Sequence, residues 1–472
     1  MTANAIKALF DQGKYQAIVD QLAQWEAEGT FETFTEQDQI KCLYYQSYAV
    51  GVGLEQRETA LQLVLAARQK YSSPTNRSLL LALMAQQIWC LGGMNRLDEA
   101  LEVITEGDAI LESLTTKERE TGTYWIAFFE ERKGVYYGFH ENNWDAALGS
   151  FQRALALREK IGDLYAIALS LHWLGEFYQV KEFNTALDYL QRFLDIAQQL
   201  ENSPEIAHAL SHIGYIYLEK GELDTALDYY QRSLDIAQQL RNSHWTAWIL
   251  TRIGYTYLCK GELDTALTYT QQALGISEEI GSLNEIIFSL FHLVNIYYLK
   301  GDLNTALEYN RRFFSLIEKK ENKESLIGCF TFFTWIYYAK GELDTAFDYM
   351  QQGLTLYETV GQSWHFPLFI SAHIHHARGE LDAAVERYQQ CLNIWEPTGN
   401  VFMIAWFLLP LIRVLLAQKD LFQAQKCLNR LQKLQTRIQN PHIHFSSRLA
   451  EALVLKESLR ARDKFQAQMI LE

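Results

Sequence analysis

The stretch GELDTALDYYQRSLDIAQQL (221–240) is followed by GELDTALTYTQQALGISEEI (261–280), and the opener GELDTA returns at 341–346. Close variants are KEFNTA (181–186), GDLNTA (301–306) and GELDAA (379–384). The small residue that ends each opener serves as a ruler: Ala186, Ala226, Ala266, Ala306, Ala346 and Ala384, with steps of 40, 40, 40, 40 and 38 residues. A fixed period of this size belongs to stacked supersecondary units, each burying its apolar stripe against its neighbours, and not to one globular core.

The ruler extends upstream to Ala147, Ala100, Ala60 and Ala17, and downstream to Ala424 and Ala467. No Pro-, Ser- or Gly-rich linker interrupts it. The spacing therefore predicts one continuous array over residues 1–472, about eleven repeats and the start of a twelfth. The 47-residue step from Ala100 to Ala147 marks an insertion near 107–122, where Thr115–Glu118 offers a capping box for a short helix. Ala186–Leu200 and Ala226–Leu240 differ only at Leu190/Tyr230 and Phe193/Ser233, as internal duplication would leave them. Asp463–Ala467 repeats the opener Asp420–Ala424, so the chain is expected to be a piece of a longer protein or an unusually ended one, with Lys464–Glu472 frayed, packed on the preceding helix without cover, or covered by another molecule.

Within one repeat, Leu210, Ile213, Gly214, Tyr217 and Leu218 form a stripe at helical spacing. Gly221 is placed to end that helix in the left-handed conformation. Glu222 and Asp224 suit the positive end of the next helix, whose stripe runs Ala226, Leu227, Tyr230, Leu234 and Ala237. Ser203 is expected to cap the first helix, with Pro204 in its first turn.

The formal net charge of −15 argues against a nucleic-acid backbone or an anionic membrane as partner, because both need basic surfaces. The longest apolar run, Val401–Ile412, is too short to span a bilayer. Six cysteines without CxxC spacing, and no signal-like segment in Met1–Lys7, point to a reduced, cytoplasmic location. The cysteines read as small buried apolar residues, with Cys259 the reactive exception.

The two-helix repeat resembles the tetratricopeptide repeat (TPR) family over nearly the whole chain. The family's small position in its first helix (helix A) matches Gly214 and Gly254 and, shifted by one, Gly134 and Gly175. The tyrosine that follows matches Tyr137, Tyr178, Tyr217, Tyr257, Tyr297 and Tyr337, and the alanine of the second helix (helix B) is the ruler itself. The resemblance implies an all-α, right-handed superhelical solenoid of stacked antiparallel helix pairs. The long period is similar to that of kinesin light chains, bacterial peptide-pheromone receptors and the sensor arms of large transcription activators.

In that family helix A lines the concave groove. Its lining positions fall here on His208, Tyr215, Trp248, Tyr255, Phe288, Phe291, Asn295, Tyr298, Trp335, Tyr338, Phe369, His373, His376, Trp406 and Arg413. With a third of each ring uncovered, the aromatic residues from Tyr215 to Phe369 would expose roughly 650 Å², above the ~300–600 Å² usual for a monomer's largest patch. The expected function is a non-catalytic scaffold that binds a protein or peptide, laid in the groove as a helix or extended segment. Two alternatives are a ligand-sensing arm of a larger signalling or transcription protein, and self-assembly through the apolar C-terminal repeats, giving a homo-oligomer. Arg413 is the one basic residue among these positions, which disfavours clamping of acidic tails.

No nucleophile elbow, P-loop, HExxH or dinucleotide fingerprint occurs, so no enzyme activity and no cofactor are expected. Carboxylate pairs such as Glu130-Glu131 and Glu278-Glu279 read as solvated. His208 and His212 stand at metal-compatible i, i+4 spacing, and His373, His375 and His376 cluster, but a site needs a third or fourth ligand. With His208 expected on the groove and His212 on the packing face, no metal is expected.

Overall fold

The computed structural model describes the chain apart from residues 1–2, 12–13, 55, 73–76, 142, 180–181, 321–322, 361–365, 398–400, 436–440, 458–465 and 471–472. Of Lys464–Glu472, residues 466–470 are described: they are helical, with Ala467 buried and Met469 exposed, and the rest of that expectation lies outside the described residues, as does His365. Among the described residues there is no strand: helix follows helix from Ala3–Asp11 to Pro441–Lys456. The protein is an all-α array of stacked antiparallel helix pairs. No helix is long and apolar enough to cross a membrane among the described residues.

The contacts divide the chain into two compact units, Met1–Asn242 and Ser243–Glu472. In the first, three regular repeats follow the inserted region: Thr123–Phe139 with Trp144–Ile161, Leu164–Tyr178 with Phe183–Gln199, and Ser203–Glu219 with Leu223–Gln239. The second opens with Ser243–Lys260 and Leu263–Glu279, Leu283–Leu299 and Leu303–Lys320, then Lys323–Ala339 and Leu343–Val360. It continues with Phe366–Ala377 and Leu381–Trp395, then Val401–Ala417 and Leu421–Gln435. Within each unit helix A packs on its own helix B, and helix B packs on helix A of the next repeat; the successive A helices Ser243–Lys260 and Leu283–Leu299 also touch, as do Lys323–Ala339 and Phe366–Ala377.

The ruler alanines from Ala60 to Ala424 are completely buried. Each lies on helix B, and in the repeats whose helix A carries a glycine opposite, that glycine lets the two helices close. A Cβ on Gly134 would meet the Phe151 ring at 2.6 Å, and one on Gly254 would stand 2.4 Å from Thr270 Oγ1. In four repeats, the helix-A tyrosine stacks nearly parallel on a tyrosine of helix B. Tyr217–Tyr229, Tyr257–Tyr269, Tyr297–Tyr309 and Tyr337–Tyr349 have centroids 5.4–5.5 Å apart and interplanar angles of 7–12°.

The turns follow from the glycines. Gly221 has φ +77°, the Gly221 amide donates to the Leu218 carbonyl at 2.9 Å, and the Glu222 amide reaches the Tyr217 carbonyl at 2.9 Å. This is a Schellman ending, and Gly261 repeats it with φ +78°. The capping box forms as expected on the short helix Thr116–Thr121. One cap differs from expectation: Asn202, not Ser203, caps Ser203–Glu219, its Oδ1 accepting from the Glu205 amide at 3.4 Å. Asparagine ranks with serine as a cap, and here it stands one residue further from Pro204, so the helix gains a residue.

Candidate partner-binding face

In the second unit, helix A of each repeat lends rings to one face. Trp248 is half-buried and stacked on Trp245 at 4.9 Å, and the Arg252 guanidinium lies 4.9 Å above its ring. Tyr255 packs 4.9 Å from the buried His292 of the next repeat. Phe291 meets Phe332 at 5.1 Å in the repeat after that, and Asn295 and Tyr298 are half-buried beside it in the helix. Phe288, one turn before Phe291, is 52% exposed.

The ring contacts then run without a break across three repeats. Trp335 stands 6.0 Å from Tyr338, 5.5 Å from His373 and 6.4 Å from Phe369. Phe369 in turn contacts Trp406 at 6.5 Å and Phe407 at 5.3 Å. Phe369 is only 6% exposed, so it forms the floor of this belt, while Phe366 at 41% and Trp406 at 51% form its rim. His373 Nδ1 lies 2.9 Å from the Tyr388 hydroxyl and 3.1 Å from the Phe369 carbonyl oxygen. Burial lowers the affinity of His373 for a proton; the Phe369 carbonyl opposes this, and His376 and Arg413 reinforce it. His376 is half-buried and its pKa is lowered by burial and by Arg413, which is exposed. Both shifts favour the uncharged imidazole, so the belt presents apolar rings with Arg413 nearby. Phe332, Tyr388 and Phe407 complete it, although the lining pattern omits them. Tyr388 belongs to helix B, Phe407 sits one residue after Trp406, and Phe332 stands three residues before Trp335.

In the first unit, Tyr215 and His208 are half-buried on helix Ser203–Glu219. His212 does not turn away from His208: their Nε2 atoms are 3.0 Å apart. Residues one turn apart share a helix face, so the expected divergence fails. His172, from the preceding helix A, joins them with its ring centroid 4.4 Å from that of His208 and 5.2 Å from that of His212. Burial, with a smaller contribution from His208, pushes the His172 pKa down to about 3.

Glu130 and Glu131 also depart from expectation, because helix Thr123–Phe139 is covered by its neighbours and both side chains are buried. Glu130 Oε2 pairs with Arg153 at 2.9 Å. Arg158 Nη1 lies 2.6 Å from Glu131 Oε2 and donates to Ser170 Oγ at 2.7 Å and to the Ala166 carbonyl at 3.1 Å. These carboxylates are balanced by cations that join adjacent helices. Glu278 and Glu279 are exposed, as expected. Cys42, Cys90, Cys329 and Cys391 are buried, Cys427 is partly covered and Cys259 is exposed.

Residues 205–279 match the tetratricopeptide repeat family, and residues 244–366 match the MalT-like TPR region. No curated protein matches the sequence. Among solved structures, the apo form of RapI is similar over 81% of this chain and 99% of its own, with 16% identity and a TM-score of 0.55. A Rap protein complexed with Competence and Sporulation Factor is similar over 81% and 99%, at 18% identity and a TM-score of 0.52. The apo form of the quorum sensor NprR from B. thuringiensis is similar over 84% and 99%, at 12% identity and a TM-score of 0.52. At these identities the likeness is one of fold.

Proposed function

Because this chain is a tetratricopeptide-repeat protein, we propose that its activity is binding rather than catalysis, and that its ligand is a peptide or helix of a partner protein laid along the helix-A face. The observation that carries this reading is the aromatic belt from Trp335 through Phe369 and His373 to Trp406, with its exposed rim. Rings are costly to leave in water over such a run, and a segment bearing apolar side chains at i, i+3, i+4 and i+7 would cover them. Trp248, Tyr255, Phe288, Phe291, Asn295, Tyr298, Tyr338, His376 and Arg413 extend the contact surface in the same unit; His208 and Tyr215 stand on helix A of the first unit and are proposed as contacts of that unit by itself. The Rap protein bound to Competence and Sporulation Factor supports a ligand on such a fold. Six free cysteines support a cytoplasmic setting.

A second reading, a ligand-sensing arm of a larger regulator, draws support from the MalT-like match over 244–366, which contains Trp248 through Tyr338. Both readings use the same face and are tested together by selecting a displayed peptide library on the full chain. Selected peptides should bind Trp335→Ala/Trp406→Ala at least about tenfold more weakly, as loss of two aromatic anchors implies. Equal binding by that variant, with its helical circular dichroism intact, would place the site elsewhere.

A further inference from the structure

His172 stands on helix Leu164–Tyr178, and His208 and His212 stand on helix Ser203–Glu219, the corresponding helix one repeat later. His172 and His212 are forty residues apart, one period of the ruler, so they occupy the same position in successive repeats. His208 lies one turn before His212. One ring nitrogen from each of the three lies within 4.8 Å of the other two, and the His208 and His212 Nε2 atoms are already 3.0 Å apart.

An ion held at ~2.0–2.1 Å by imidazole nitrogens in tetrahedral geometry needs those nitrogens roughly 3.3 Å apart. The cluster is close to that size. A hydrogen bond between His208 and His212 accounts for one pair of nitrogens but leaves the third histidine unexplained. His172 is buried, and its Nε2 has no hydrogen-bond partner. A buried polar atom without a partner is costly, and an ion is one of the few things that would satisfy it. The same atom lies 3.7 Å from Glu176 Oε2, which puts a fourth donor at hand. Around His208 the arrangement also suits coordination: Glu205 Oε2 lies 3.8 Å from Nδ1, on the ring nitrogen opposite the one that faces His212. A carboxylate on the far nitrogen fixes the tautomer of a metal-bound imidazole.

We propose that His172, His208 and His212 bind one divalent transition-metal ion, with Glu176 as fourth donor and Glu205 orienting His208. Three imidazoles and a carboxylate suit Zn²⁺ or its neighbours in the first transition row, whereas Mg²⁺ and Ca²⁺ take oxygen donors. The ion ties helix A of one repeat to helix A of the next and fixes the angle between them within the first unit. This proposal does not rest on peptide binding at the aromatic belt, which lies in the second unit; His208 is the one proposed contact residue that it shares.

The test uses the full chain freed of metal by chelation. Calorimetric titration with ZnCl₂ should show one saturable equivalent per chain, and CoCl₂ should give the visible absorption of four-coordinate Co²⁺. The thermal midpoint should rise with Zn²⁺, since a ligand that binds only the native state stabilises it. His208→Ala and His212→Ala should each weaken Zn²⁺ by more than the ten- to hundredfold typical of losing a residue that only orients a ligand, and Glu205→Gln by about tenfold. His244→Ala, on an exposed residue outside the cluster, should leave binding unchanged. His208 and His212 are only partly buried, so these variants keep the fold even where His172→Ala does not. No stoichiometric binding by the parent chain overturns the proposal. So does undiminished binding by the folded double variant His208→Ala/His212→Ala.

Discussion

A Cβ on Gly254 would stand 2.4 Å from Thr270 Oγ1 and 3.3 Å from the Ala266 carbonyl oxygen, so even alanine requires the two helices to part. Gly254→Leu should lower the denaturant midpoint by an amount equivalent to ~1–3 kcal/mol, the usual cost of overpacking; an unchanged midpoint would mean that the helix crossing lies elsewhere. His292 gives a second residue-level expectation. Burial, with a smaller contribution from Arg252, pushes its pKa from 6.5 down to about 3. Above pH 6.5 both folded and unfolded states hold a neutral imidazole, and stability is complete. As pH falls from 6.5 towards 3 only the unfolded chain takes up the proton, so stability is lost through that window, about 2 kcal/mol at pH 5. His292→Phe should flatten the fall in thermal midpoint between pH 7 and pH 5. The next repeat already carries Phe332 at that position. The small residues were legible from the repeat alone because their spacing is periodic. The burial of His292 was not, since histidine occurs as readily on a surface.

At the scale of the helix, the stacked tyrosine pairs and the glycine endings recur with the ruler. Lys220, Lys260 and Lys340 each lie 5.3–5.8 Å over the helix-A tyrosine of their own repeat, adding a cation to the end of each stack. The inserted helix Thr116–Thr121 has no such stack and depends on its cap. Thr115 Oγ1 accepts from the Glu118 amide, the Glu118 carboxylate accepts from the Thr115 amide at 2.9 Å, and Arg77 donates to both Glu118 oxygens at 2.9 Å. The Arg77 and Thr115 hydrogen bonds hold the Glu118 carboxyl well below the usual carboxylate range. Thr115→Ala should cost about 1 kcal/mol, the typical value of a lost cap, read as a lower thermal midpoint. Amide exchange in 116–121 should speed up by more than in the helices around it. Both the capping box and the glycine stops were legible, because a cap or a left-handed turn is set by residues a few positions apart. Asn202 shows the limit of such reading: two good caps stood side by side, and the fold of the preceding turn chose between them.

For the molecule as a whole, the repeat implies that stability is nearly a sum of repeats and their interfaces. Removing residues 263–302 joins Glu262 to Leu303 at equivalent points of the period. The shortened chain should keep its helicity per residue and unfold cooperatively, as followed by circular dichroism during heating. Loss of cooperative unfolding would show that the second unit depends on longer-range packing than neighbour contacts. The same deletion removes Phe288, Phe291, Asn295 and Tyr298 but leaves the belt from Trp335 to Trp406, so peptides selected on that belt should still bind.

The sequence by itself determined the period, the helix pairs, the burial of every ruler alanine from Ala60 to Ala424 and the glycine turns, because each depends on residues close together in the chain or spaced by one fixed step. It also marked the helix-A face as aromatic. Only the tertiary structure decided which of those rings are floor and which are rim, since Phe369 and Trp406 look alike in the sequence and differ through what packs over them. Only the tertiary structure put Arg158 against Glu131 and His172 against His208 and His212. Each group joins residues from different helices, and the one trace left in the sequence, the forty-residue step from His172 to His212, gains meaning once successive repeats lie side by side.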